Sequence, residues 1–149
     1  MLYAIWVVMA AMLWAKPVPI NPYNFKDKRW GTLKVALAGP SVNFLIAIFF
    51  SLLVRFTNLP QQFSEFLAVV AFYNFLWGLF NLLPIPPLDG SKIVMSFLPR
   101  EAQIKLARLE SYGFFILVIL LFTGLLNPVI AFLQDLIYGM IAVLFGFFR

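Results

Sequence analysis

Residues 66–90 read FLAVVAFYNFLWGLFNLL-PIPPLDG, and the junction between their two parts decides the fold. The first part, 66–83, carries no charge and is interrupted only by Asn74, Gly78 and Asn81. At about 1.5 Å rise per residue, an uncharged helix of this length crosses most of a ~30 Å hydrocarbon core. Pro84, Pro86 and Pro87 then end regular helix, because proline lacks a backbone donor and clashes with the preceding turn. Asp89 follows at once. The stretch reads as a membrane crossing that breaks at its end beside a carboxylate.

Working outward, residues 35–54 (VALAGPSVNFLIAIFFSLLV) form a second run long enough to cross. Residues 113–133 predict a further crossing, kinked or split at Asn127-Pro128, and 136–148 a last apolar piece short of a full span. The apolar run 1–15 is too short to cross and fits a half-span, a re-entrant segment or a truncated helix. Residues 16–34, with Pro17, Pro19 and Pro22, predict a loop, and 100–112 after Pro99 a short amphipathic helix at the membrane surface. The expected architecture is all-α: one polytopic transmembrane bundle over 1–149 with proline-broken segments and an interfacial helix.

Composition agrees. Hydrophobic residues make up 63% of the chain and charged residues 11%, whereas charged residues supply about 25% of a soluble domain. Such a chain is expected in a lipid bilayer as a multi-pass protein. The net charge of +5 reads as topology rather than nucleic-acid binding, and no nucleic-acid partner is expected. Lys16, Lys26, Lys28, Arg29 and Lys34 crowd the 16–34 segment; Lys92, Arg100, Lys105 and Arg108 crowd 84–112; the 55–65 connection holds Arg55 alone. The positive-inside rule then puts 16–34, 84–112 and Asp89 on the cytoplasmic side. The sequence contains no cysteine and no histidine, which removes disulfides, thiolate sites and the commonest base and metal ligand.

Two readings fit Asp89. A carboxylate near hydrocarbon commonly has a partner or a task, and the prolines before it free backbone groups in a protein-lined site. Alternatively, Asp89 caps a helix that begins at Gly90. Asn74 and Asn81, seven apart on one helical face, either hydrogen-bond an unpaired backbone such as a bound peptide or glue helices together. Gly39-Pro40 with Asn43, among Ala36, Ala38 and Ser41, reads as close helix packing. The other acids, Asp27, Glu65, Glu101, Glu110 and Asp135, are expected to scatter over loops and termini.

Four stretches together resemble the site-2 protease family of intramembrane zinc metallopeptidases, in its compact bacterial branch. They are AKPVPINPYNF (15–25), AGPSVN (38–43), FNLLPIPPLDG (80–90) and ARLESYG (107–113). The resemblance implies that Asp89 is a zinc ligand and that Asn81 helps hold the substrate or a developing oxyanion. It also implies that the stretch with Pro84, Pro86 and Pro87 helps hold unwound substrate, beside which Asn74 is the candidate to bind its backbone. Transmembrane proteins would be the substrates, cut in regulated intramembrane proteolysis, and a bacterial cytoplasmic membrane the location. The chain departs from the family in one respect. The family's other two zinc ligands and its base come from a His-Glu-x-x-His helix, whose histidines four apart share one face. With no histidine, the chain is expected to be an N-terminally shortened member, inactive alone and without stable zinc. A non-catalytic relative that binds transmembrane helices is the alternative. A transporter fragment ranks behind both, for want of two matching halves.

Overall fold

The computed structural model describes residues 27–145, and among these every regular element is helical. In chain order they are α1 (Lys28–Phe56), α2 (Gln61–Asn81), α3 (Asp89–Met95), α4 (Arg100–Glu110), α5 (Gly113–Phe122) and α6 (Asn127–Phe145). The sequence-based expectations for 1–15, for most of the 16–34 loop and for 146–148 lie outside the described residues.

α1 begins well before the apolar run at 35. Asp27 is the reason: its carboxylate accepts from Arg29 N at 2.9 Å and Trp30 N at 3.2 Å. Those bonds satisfy donors that a helix start otherwise leaves orphaned. Residues 28–34 are therefore helix and not loop, because their charges set topology without opposing helix formation. Pro40 lies inside α1 and is buried. The α1–α2 contact is close because Gly78 presents no side chain. A Cβ there would stand 2.9 Å from the Phe44 ring. Phe44 in turn leans on Phe75, ring centroids 6.3 Å apart.

The end of the chain differs from the expected crossing at 113–133. α5 stops at Phe122, Gly124 turns with φ +74°, and α6 begins at Asn127. Only glycine takes that backbone conformation cheaply. Asn127-Pro128 opens α6 instead of kinking a helix, since a missing proline N–H costs nothing in a first turn. The short apolar piece expected at 136–148 is thus the second half of a membrane-length helix. Among the described residues three helices are long and apolar enough to cross a bilayer: 29–56, 61–81 and 127–144. α5, with 10 residues, is too short for a full span.

A core of Ala47, Phe75, Leu76, Phe80, Leu88, Leu117, Leu121, Leu126, Ile130, Leu133 and Ile137 joins α1, α2, α5, α6 and the turn before α3. Outside it, large apolar side chains such as Phe49, Phe66 and Phe132 stay more than 60% exposed. In water that surface would drive aggregation; in lipid it is the solvated face. The protein is an integral membrane helix bundle.

At one end Arg55 donates from Nη1 to the carbonyls of Val143 and Leu144, both at 3.3 Å. The cation meets two carbonyls in the last described turn of α6, so α1 and α6 run to the same end of the bundle. Arg55→Ala is expected to cost about 1 kcal/mol, read as a lower denaturation midpoint in detergent. An unchanged midpoint would show that the tether contributes nothing.

Candidate active site

The site is built where α2 stops. Its last carbonyls are taken up by a chain of tight turns. Leu82 N donates to Leu79 O (3.1 Å), Leu83 N to Phe80 O (3.0 Å), Ile85 N to Leu83 O (2.8 Å) and Leu88 N to Ile85 O (2.8 Å). Pro84, Pro86 and Pro87 occupy the positions between these donors and have no N–H to place. The Pro86–Pro87 bond is cis. Pro84 is exposed, Pro86 buried and Pro87 half-buried. Leu88, 2% exposed, drives the end of the turn into the core. α3 then starts with Asp89, and buried Ser91 ties it back through Oγ to Leu88 O at 2.7 Å.

Two glycines let this turn close. A Cβ on Gly90 would lie 2.2 Å from Leu82 O and 2.3 Å from Leu83 O, so α3 begins against the bare backbone at the end of α2. A Cβ on Gly113 would lie 2.8 Å from Pro86 C and Pro87 N, so the start of α5 rests on the proline backbone.

Asp89 is the first residue of α3 and not its cap, so the cap reading is corrected. Leu88 holds the cap position, and the acid lies inside the first turn, one residue later than a cap. Its Oδ2 faces the bare Cα of Gly39 on α1, 3.1 Å from where a Cβ would be. Its Oδ1 is 3.6 Å from Lys92 Nζ, one turn along α3. The same ammonium lies 3.9 Å from Glu110 Oε1 at the end of α4. Lys92 therefore stands between two carboxylates, and Asp89 remains about 30% exposed. Such a pair contributes little stability, which leaves the acid available to a stronger partner.

Asn81 ends α2 and is half-buried, at the other end of the 82–88 turn from Asp89 along the chain. Asn74 donates its amide to Val70 O at 2.8 Å. That nitrogen is engaged within its own helix and does not bridge to another. Asp135 is neither in a loop nor at a terminus. It is exposed within α6 and lines an apolar groove of about 650 Å³ with Ile48, Leu136, Gly139, Met140, Val143 and Leu144. Among the described residues, no three His, Cys, Asp or Glu side chains come together to hold a metal. A protein zinc site uses three or four donor side chains. No such set is present among the described residues.

Sequence reasoning missed Lys92 and Glu110 as neighbours of Asp89. The Asp89–Lys92 spacing of three was a readable signal once a helix start was expected there. Glu110 was not readable, because it is carried to the site by the fold of α4.

Comparison with known proteins gives the following. The model of "Peptidase family M50" matches residues 56–124. "Putative zinc metalloprotease YwhC" of Bacillus subtilis is 37% identical over 134 residues, 81% of this chain and 59% of that protein. "Putative zinc metalloprotease Rip2" of Mycolicibacterium smegmatis is 40% identical over 96 residues, 62% of this chain and 37% of that protein. "Zinc metalloprotease MJ0392" of Methanocaldococcus jannaschii is 29% identical over 114 residues, 74% and 34% of the two chains. The chain thus spans 59% of the first of these relatives and about a third of the other two. No solved structure matches it.

Proposed function

Residues 56–124 belong to peptidase family M50, the site-2 protease family, and from that premise we propose that this chain is the aspartate-bearing part of an intramembrane zinc metalloprotease. On this reading the complete protein hydrolyses peptide bonds of membrane-spanning substrates in regulated intramembrane proteolysis, within a bacterial cytoplasmic membrane. Asp89 contributes one zinc ligand. The remaining ligands and the base come from a His-Glu-x-x-His segment outside these 149 residues, since the sequence has no histidine. Zinc, once bound, would supply Lewis-acid activation of the scissile carbonyl and of water.

Asn81, at the end of α2, is proposed to orient the substrate or its oxyanion. Asn74, with Pro84, Pro86 and Pro87, is proposed to line the path of unwound substrate. One observation carries the proposal. Asp89 begins its helix without capping it, half-open and turned toward a glycine on α1, with a weak ion pair as its partner.

The test compares two purified proteins: these 149 residues, and the longest product of the reading frame that contains them. Zinc is counted by mass spectrometry, and cleavage of a membrane-spanning model substrate is followed with and without 1,10-phenanthroline. The longer product is expected to hold one zinc and to lose cleavage on chelation. The 149-residue chain is expected to hold none and cut nothing. Stoichiometric zinc on that chain, or cleavage indifferent to the chelator, overturns the proposal. The lack of histidine also favours a second reading, a scaffold that binds transmembrane helices. A reading frame with no further ligands and a product that binds the substrate uncut would select it.

A further inference from the structure

We propose that the outward face of α4, together with Arg29 of α1, binds the headgroups of anionic phospholipids. α4 buries none of its residues. Its half-buried side chains, Ala102, Leu106 and Glu110, recur every fourth residue and mark the stripe turned toward the rest of the chain. Arg100, Ile104 and Arg108 form the opposite stripe, all exposed, with Lys105 alongside. Of the two acids on α4, Glu110 is drawn to Lys92 at 3.9 Å, which leaves Glu101 against three cations.

A fourth cation arrives from a distant part of the chain. The Arg29 guanidinium lies 4.9 Å from the centre of the Phe97 ring, three residues before Arg100. The contact places the start of α1 and the start of α4 at the same end of the bundle. Arg29 also opens the first membrane-length run, so the patch sits at the level where hydrocarbon gives way to headgroups.

The chemistry of the patch selects its occupant. Guanidinium groups match phosphate oxygens in a two-pronged geometry. Free phosphate would be served by the cations alone. Here Phe97 and Ile104, 59% and 48% exposed, stand among the cations. Apolar side chains between long cationic ones suit a surface with acyl chains below and phosphates above. Each cation near an anionic leaflet is expected to raise local affinity about fivefold. The proposal holds whether or not the complete protein cuts peptides.

The sequence contains no cysteine, so a single introduced thiol can report on the patch. The chain with Ile104→Cys carries a bimane label and is reconstituted in equal amounts of phosphatidylglycerol and phosphatidylcholine. Bromine is placed on the acyl chains of one lipid or the other. Brominated phosphatidylglycerol is expected to quench the label about fivefold more strongly than brominated phosphatidylcholine, given that affinity difference. A label at Thr57→Cys, at the other end of α1, should show no preference. Replacing Arg29, Arg100, Lys105 and Arg108 with Gln should bring the Ile104 label to parity. Equal quenching in the chain with its cations intact overturns the proposal without reference to any charge variant. So does a preference that survives replacement of all four cations, or one abolished by inorganic phosphate.

Discussion

Asp89→Ala in the complete, zinc-bearing gene product is expected to abolish stoichiometric zinc and to lower kcat/KM by about a thousandfold. The magnitude follows from the several kcal/mol that a bound metal contributes to a transition state, at about 1.4 kcal/mol per tenfold in rate. The same substitution should barely move stability. Asp89 is not the cap of α3, and its pair with Lys92 is 3.6 Å long on a side chain about 30% exposed. Exposed pairs of that kind contribute roughly 0–1 kcal/mol. Loss of metal with an unshifted unfolding midpoint separates a ligand from a structural acid. Asp89→Asn keeps the shape and one oxygen but loses the charge, and should fall between the two. A product that retains zinc and cleaves normally with alanine at this position would end the assignment.

The parts of the fold that were legible in the sequence rest on run length. Uncharged stretches at 35–54 and 66–83 mark helices because hydrocarbon leaves no other way to satisfy the backbone. Their true ends, Lys28 and Gln61, lie upstream of those runs. Hydropathy marks the lipid-facing part of a helix, whereas Asp27 and Pro60 mark its beginning. The break between α5 and α6 was legible only as a kink or split at Asn127-Pro128, not at Gly124 where the chain turns. The residues around it are apolar, and only the sign of φ there separates α5 from α6. That error also misplaced Asp135, which a helix starting at Asn127 carries into its interior.

The site divides along the same line. Asp89 and its prolines stood out because a charge and a broken helix are both costly at a bilayer edge. The approach of Asp89 to Gly39 was hidden, since the two lie on different helices and no local periodicity joins them. AGPSVN at 38–43 was read as close packing and as a stretch of family resemblance, yet it also supplies the wall that Asp89 faces. Motifs far apart in sequence become one site only through the α1–α3 contact.

Gly90→Ala is expected to be the most disruptive single-methyl change in the described structure. The added carbon would stand 2.2 Å from Leu82 O, 2.3 Å from Leu83 O and 2.4 Å from Leu82 C. All three are backbone atoms, held by the turn that closes α2, so no flexible side chain can yield. α3 must move away from the end of α2, at a cost of about 2–4 kcal/mol by analogy with overpacked cores. Asp89 precedes Gly90 directly and moves with it, off the bare face of Gly39. A shift of about 1 Å at a catalytic group costs on the order of a hundredfold in rate. Gly139→Ala is the matched control, because a Cβ there meets nothing within 4 Å. The pair is to be measured by denaturation in detergent and by zinc content of the complete protein. Gly90→Ala should lower both, and Gly139→Ala neither. Equal midpoints for the two variants would mean that the turn is loose. A loose turn could not hold a carboxylate in the fixed position that a metal ligand requires.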